Sequence, residues 1–395
     1  MRRSLIAIVG VLVLATIGAA AYYYLTTKTP AVMVAPTIEL PGGQPAQNQP
    51  SAVETPANQT QPQSTAPQRL MQLTKGPVVP GFAVLNVPQS TSTSQVSVSY
   101  LERQSGNVFS YNVDANTITR TSNRTVPGLQ SAIWSRDGSL AIVRYLSGDT
   151  LSTINTYAIR PDGSGGFFLP QDLSDVSLAS SSILTLASGV NGSVASTVDL
   201  NGARTTTVFS SPLSSLRTYP LGGGRYLGVT KPSGTLAGYA FIYDTSKIAT
   251  RIFGPQDGLV ALPSPSGSYV FFSYVQNSAL RTAFVDMKTG AVSNLPLSTI
   301  ADKCVWTADE KTIYCGVPTS PNMSYNYPDD WYQGAVSFTD RIWKVDVQAR
   351  FVELVLDFAK STGSNLDAKA LATDRQNTTL VFMNKNDGSL WSYRL

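Results

Sequence analysis

The sequence predicts an all-β fold, a β-propeller of about seven four-stranded blades, and three features predict it. A strand ending in aspartate, a short turn and a second strand recur six times between residues 114 and 346. Between successive copies lies another unit: an apolar strand, a tight polar turn and a β-rich strand. One short strand-like piece is left over at the start of the repeats, and one strand is missing at their end.

The repeating aspartates are Asp114, Asp162, Asp199, Asp244, Asp286 and Asp346, at intervals of 48, 37, 45, 42 and 60 residues. Aspartate suits the first corner of a turn because its carboxylate accepts backbone N–H groups two residues on. The intervening unit is clearest as Ala132-Ile-Trp134-Ser-Arg-Asp-Gly-Ser-Leu140 and as Val260-Ala-Leu262-Pro-Ser-Pro-Ser-Gly-Ser-Tyr269. It recurs around Val305-Trp306-Thr-Ala-Asp-Glu and Ala370-Leu-Ala-Thr-Asp-Arg, with weaker copies in 177–186 and 216–229. Together the two units make four strands in about 43 residues, the size of a propeller blade. The seventh third strand is 389–395, and its fourth strand is absent. Residues 70–74 are expected to pair there and close the ring, which removes a long open edge. Six or eight blades are the alternative counts, because the 177–186 unit is weak.

Trp134-Ser-Arg-Asp-Gly-Ser and Ser264-Pro-Ser-Gly-Ser resemble the Trp-Ser-Pro-Asp-Gly turn of TolB-like and WD-type propeller repeats. The likeness spans residues 69–395 in outline and implies architecture. With its apolar N-terminus, Pro/Gln-rich stretch and Cys-Val-Trp…Tyr-Cys hairpin, the chain also resembles single-pass anchored propeller proteins of uncultured bacteria. That group carries no activity to transfer.

Before residue 69 the composition changes. Residues 1–4 carry Arg2 and Arg3, and the uncharged run 5–25 ends at Tyr22-Tyr-Tyr24-Leu25. Twenty-one residues at 1.5 Å each span roughly 30 Å, the thickness of a bilayer core. The expectation is a transmembrane signal anchor, N-terminus cytoplasmic and the body outside the cell membrane. A cleaved signal peptide is the competing reading, since Ala19-Ala20-Ala21 resembles a cleavage site. Residues 28–68 hold eight prolines, seven glutamines and three charges. They are expected to form a disordered stalk, too poor in apolar side chains to offset their ordering entropy.

Composition excludes whole classes of chemistry. The chain has no histidine, so no Ser-His-Asp triad, Cys-His dyad or His-ligated metal can form. Three of the 29 basic and two of the 25 acidic residues precede residue 69. The body is therefore near charge balance, and nucleic-acid binding is not expected. No catalytic residue, metal site or cofactor is expected. Gly222-Gly-Gly224 lacks the Lys-Ser/Thr of a phosphate loop, and Asn384-Lys-Asn-Asp-Gly388 reads as a hairpin turn.

Two features remain as candidates. Cys304 and Cys315 flank a hairpin centred on Asp309-Glu310, directly opposite one another, within reach of a disulfide in an exported protein. Two packed, reduced thiols are the alternative. Residues 318–338 are the one long interruption of the repeat, expected on the face where the channel opens. The candidate binding residues there are Tyr325, Tyr327, Asp329, Asp330, Trp331 and Tyr332. Four Tyr/Trp rings in eight positions suit a recognition surface, although the same rings could pack onto the protein's own blades. Neighbouring Asp329 and Asp330 do not define the separation a glycosidase needs, nor a calcium loop. The expected function is a binding module for a protein or glycan. A structural subunit of an envelope complex, or a carboxylate-based carbohydrate enzyme, are the alternatives.

Overall fold

The computed structural model describes residues 69–395, except 91–93 and 247. The expected anchor at 5–25 and stalk at 28–68 lie outside the described residues. Among the described residues no helix is long and apolar enough to cross a membrane.

The chain forms seven antiparallel four-stranded blades, spanning residues 78–120, 129–168, 173–211, 216–257, 258–295, 304–357 and 368–394. Blades 4 and 5 join in one hydrogen-bonded sheet because the strand Ala249–Pro263 runs without a break from the outer edge of one to the innermost position of the next. Blade 7 takes its fourth strand from the start of the domain. Leu70, Met71 and Gln72 pair with Tyr393, Ser392 and Trp391, the closure expected from the repeat count.

Strand alternation explains why the blades stack. In the second strand of blade 5, Val270 and Phe272 enter the core shared with blade 4, while Phe271 between them enters the core shared with blade 6. Blade 7 repeats the device: Leu380 and Phe382 face blade 6, Val381 and Met383 face blade 1. A strand buried on both faces therefore reads as a continuous apolar run, as in Tyr269-Val-Phe-Phe-Ser-Tyr274. Among the described residues the apolar core divides into seven clusters, each filling one blade-to-blade interface. Seven interfaces between seven blades make a closed ring. Outermost strands face water: all four residues of Thr117–Arg120 are exposed.

The recurring turn between first and second strands has one chemistry. In blades 2, 5, 6 and 7 the turn places Gly138, Gly267, Glu310 and Asn377 at positive φ, between 57° and 70°. Each donates its N–H to the residue three before it, Ser135, Ser264, Thr307 and Asp374. In the outer turns the expected aspartate corner appears at Asp162, Asp244, Asp286 and Asp346, whose carboxylates accept N–H groups two or three residues on. Blade 1 differs. Asn112 takes the corner role, and Asp114 instead accepts Val96 N and the Arg394 guanidinium.

Cys304 and Cys315 are directly opposed on the first two strands of blade 6 and joined by a disulfide, with Cα atoms 4.0 Å apart.

Candidate functional site

Because strands alternate in direction, second-to-third connections and blade-to-blade connections emerge on one face, and the other turns on the opposite face. The insertion 319–339 joins the second strand of blade 6, Thr312–Pro318, to its third, Asp340–Asp346, so it lies on the first of these faces. It folds into a short helix, Asp329–Gln333, ended by Gly334 in the left-handed conformation.

The insertion is fastened to blades 4 and 7 and braced within itself. Toward blade 4, the Asp329 carboxylate accepts Gly234 N at 2.8 Å. Gly234 and Gly258 permit this approach: a Cβ on either would come within 2.8 and 2.6 Å of the Tyr327 carbonyl oxygen. Toward blade 7, Lys385 Nζ donates to Val336 O at 3.0 Å, and Trp331 Nε1 donates to Asp367 at 3.0 Å. Within its own loop, the Asp330 carboxylate accepts Asn326 N at 2.7 Å and Tyr327 Oη donates to Asn322 O at 2.9 Å.

Under the helix sits a group of charges that the sequence did not disclose. Lys303, fully buried, places Nζ 2.8 Å from Asp340 and in direct contact with Asp367, both also fully buried. It donates further to Ala368 O at 2.9 Å. The Trp331 and Phe338 rings cover it, their centroids 4.8 and 5.1 Å from Nζ. Asp367 also accepts Phe338 N, so one carboxylate ties a buried lysine, the insertion's tryptophan and its returning backbone together. Burial pushes the Asp340 carboxyl up to about 6; Lys303 opposes that shift and the like charge of Asp367 reinforces it.

A second polar group lines the channel beside the helix. Tyr332 Oη donates to Asp302 at 2.6 Å, and Arg217 from the innermost strand of blade 4 pairs with the same carboxylate at 2.8 Å. The guanidinium also lies over the Tyr332 ring, 5.2 Å from its centroid. Tyr332 as a whole is 37% exposed, and burial of its hydroxyl holds its pKa well above the usual value. Deeper in, Asp175 accepts Thr218 N and Oγ1, and burial raises its carboxyl despite Arg217 and Arg144 nearby. Burial likewise raises Tyr219.

The six candidate residues thus divide. Tyr327 and Trp331 are buried, 2% and 3% exposed, and hold the loop to the blades, so their rings are not open to an outside partner. Asp329 and Asp330 spend their carboxylates on backbone N–H groups. Tyr325 and Tyr332 are 36% and 37% exposed, and Met323 of the same insertion is 62% exposed. Sequence reasoning missed Lys303, Asp340, Asp367, Arg217 and Asp302. The available signal was Lys303 among the apolar residues Ile300, Ala301, Cys304, Val305 and Trp306, where a lysine has to find a buried partner. Among the described residues no group of acidic or sulfur ligands is arranged to hold a metal ion.

No family model matches the sequence, and no curated protein matches it. Solved structures do resemble the fold. Oligogalacturonate lyase from Vibrio parahaemolyticus aligns with a TM-score of 0.53 and 9% identity, over 84% of this chain and 94% of that one. Hydrazine synthase from Kuenenia stuttgartiensis aligns with a TM-score of 0.51 and 11% identity, over 82% of this chain and 97% of that one. At such identities the likeness is one of architecture. The chain is a β-propeller.

Proposed function

We propose that this chain is a membrane-tethered, extracytoplasmic binding module, and that the 318–338 insertion recognises a protein or glycan partner. The observation that carries the reading is the division of its aromatic residues. Trp331 and Tyr327 are spent on fixing the loop, so Tyr325 and Tyr332 are offered to solvent on a support already ordered. Rigid amphipathic rings on a pre-organised loop lower the entropy cost of association and are common anchors of interfaces. The uncharged run at 5–25 and the Pro/Gln-rich stretch after it support the tether and the resemblance to anchored propeller proteins.

The test replaces the open rings. Tyr325→Ala with Tyr332→Ala in the full chain should lower stability only by about 1 kcal/mol and weaken affinity for a partner captured by the parent chain by at least about thirtyfold. Unchanged affinity in the folded variant would show the insertion to be structural.

A further inference from the structure

The end of the channel opposite the insertion holds a recess of about 210 Å³. Its lining comes from the innermost strands of four blades and the turns that follow them: Phe82 of blade 1, Trp134 and Arg136 of blade 2, Trp306 of blade 6 and Arg375 of blade 7. The two tryptophans are fixed in place. Trp134 Nε1 donates to Gly81 O at 3.2 Å, Trp306 Nε1 donates to Leu262 O at 3.0 Å, and Trp306 stacks against Tyr269.

Charge distinguishes this mouth. The carboxylates in the surrounding turns are committed to local bonds. Asp137 accepts from Ser135 and Ser139, Asp309 from Thr307 and Lys311 N, and Asp374 from Asn86, Thr378 and Thr379. Glu310 accepts from Ser264 and Ser266. Side-chain hydrogen bonds hold Asp137 and Asp309 below the usual carboxylate range, so both stay ionised and turned to their own backbone. Arg136 and Arg375, both exposed, form no ion pair among the described residues. The Arg375 guanidinium reaches only the Arg136 carbonyl, at 3.4 Å.

Two guanidiniums without acidic partners, beside a fixed apolar wall, form a receptor for a particular ligand chemistry. Their planar forks match the paired oxygens of a carboxylate or phosphate. The Phe82, Trp134 and Trp306 side chains exclude water from one side, which strengthens those contacts. The volume falls below the roughly 300 Å³ of ordinary ligand pockets, which limits the occupant to a single compact body. We propose that this recess binds a small organic oxyanion: a carboxylate or phosphate monoester carried on one apolar ring. The site lies at the other end of the channel from the insertion and shares no residue with it, so either reading can fail alone.

Titration calorimetry on the full chain tests the proposal with benzoate, phenyl phosphate, inorganic phosphate and benzyl alcohol as probes. Saturable binding is expected for benzoate, phenyl phosphate or both, and the arm that binds identifies the oxyanion. Benzyl alcohol and inorganic phosphate should each bind at least about tenfold more weakly, because each lacks one half of the recognition. Arg136→Gln with Arg375→Gln replaces two surface side chains and should leave melting unchanged while weakening organic-anion binding at least about tenfold. Absence of saturable binding by both organic anions would overturn the proposal. So would equal binding of inorganic phosphate or benzyl alcohol, or affinity that survives the double replacement.

Discussion

Lys303 touches two carboxylates, Asp340 and Asp367, and the three charges in contact sum to one negative charge inside the protein. Lys385 and Lys369 lie farther out, and burial lowers the pKa of each. Asp340 bears the imbalance. Its Oδ2 accepts Lys303 Nζ and Ala368 N, whereas its buried Oδ1 has no hydrogen-bond donor. An ionised oxygen left in that state is costly, which is the physical content of a carboxyl raised from 3.8 to about 6 by burial. The folded chain holds this proton more tightly than the unfolded chain does. The group's contribution to stability is therefore greatest below its unfolded value and is lost as pH rises through about 6. Asp340→Asn has no proton to bind. Denaturant unfolding of parent and variant at pH 7 and pH 5 should show the parent gaining relative to the variant at the lower pH. A difference that stays flat between the two pH values would count against this account. Lys303 in a largely apolar stretch signals a buried partner, but which one could not be read along the chain, because Lys303 and Asp367 are 64 residues apart and meet only when blades 6 and 7 stack.

The insertion shows what a broken repeat discloses and what it hides. Its place in blade 6 and its face of the ring were legible, since a long connection between second and third strands can emerge on one face only. Which rings face inward was not legible. Trp331 and Tyr332 are neighbours on a helix of five residues, too short for a 3.6-residue period to separate a buried side from an open one. The tertiary partners decide: Trp331 finds Asp367 and Lys303 beneath it, and Tyr332 finds Asp302 at the channel wall. Truncating the first should therefore cost far more than truncating the second. Trp331→Ala removes a buried ring and uncovers a buried lysine, a loss of about 3–5 kcal/mol. Tyr332→Ala leaves the Arg217–Asp302 pair intact and should cost about 1 kcal/mol. Limited proteolysis provides a second reading, with cleavage within 318–338 appearing in the tryptophan variant alone. Equal stability losses would mean that the helix is not anchored through Trp331.

At the scale of the whole ring, the blades were legible because four of them share one turn chemistry and their strands share one alternation of faces. Even the blade around 173–211, whose repeat signal is weak, shows the same alternation. Ile183 enters the core shared with blade 2 while Leu184 enters that shared with blade 4. Closure has a different basis, because the strand that completes blade 7 comes from the opposite end of the domain. Leu70 is buried in the core between blades 6 and 7, and Leu73 in the core between blades 7 and 1. The backbone joins there as well: Arg394 N donates to Arg69 O at 2.9 Å and Leu73 N to Leu390 O at 2.8 Å. Around them the Arg69 guanidinium lies 4.9 Å from the Tyr393 ring centroid, and Arg394 pairs with Asp114 of blade 1 at 2.9 Å. Removing residues 69–75 would strip a ladder from the strand Leu390–Arg394 and expose its edge. It would also withdraw two buried leucines, worth roughly 3–6 kcal/mol together. Removing residues 30–60 takes away Pro/Gln-rich sequence that contributes no strand to the described blades. Deletion of 69–75 should therefore lower the denaturation midpoint sharply and promote self-association through the open edge, and deletion of 30–60 should leave the midpoint where it is. Equal midpoints for the two deletions would mean that the ring does not depend on this strand for its closure.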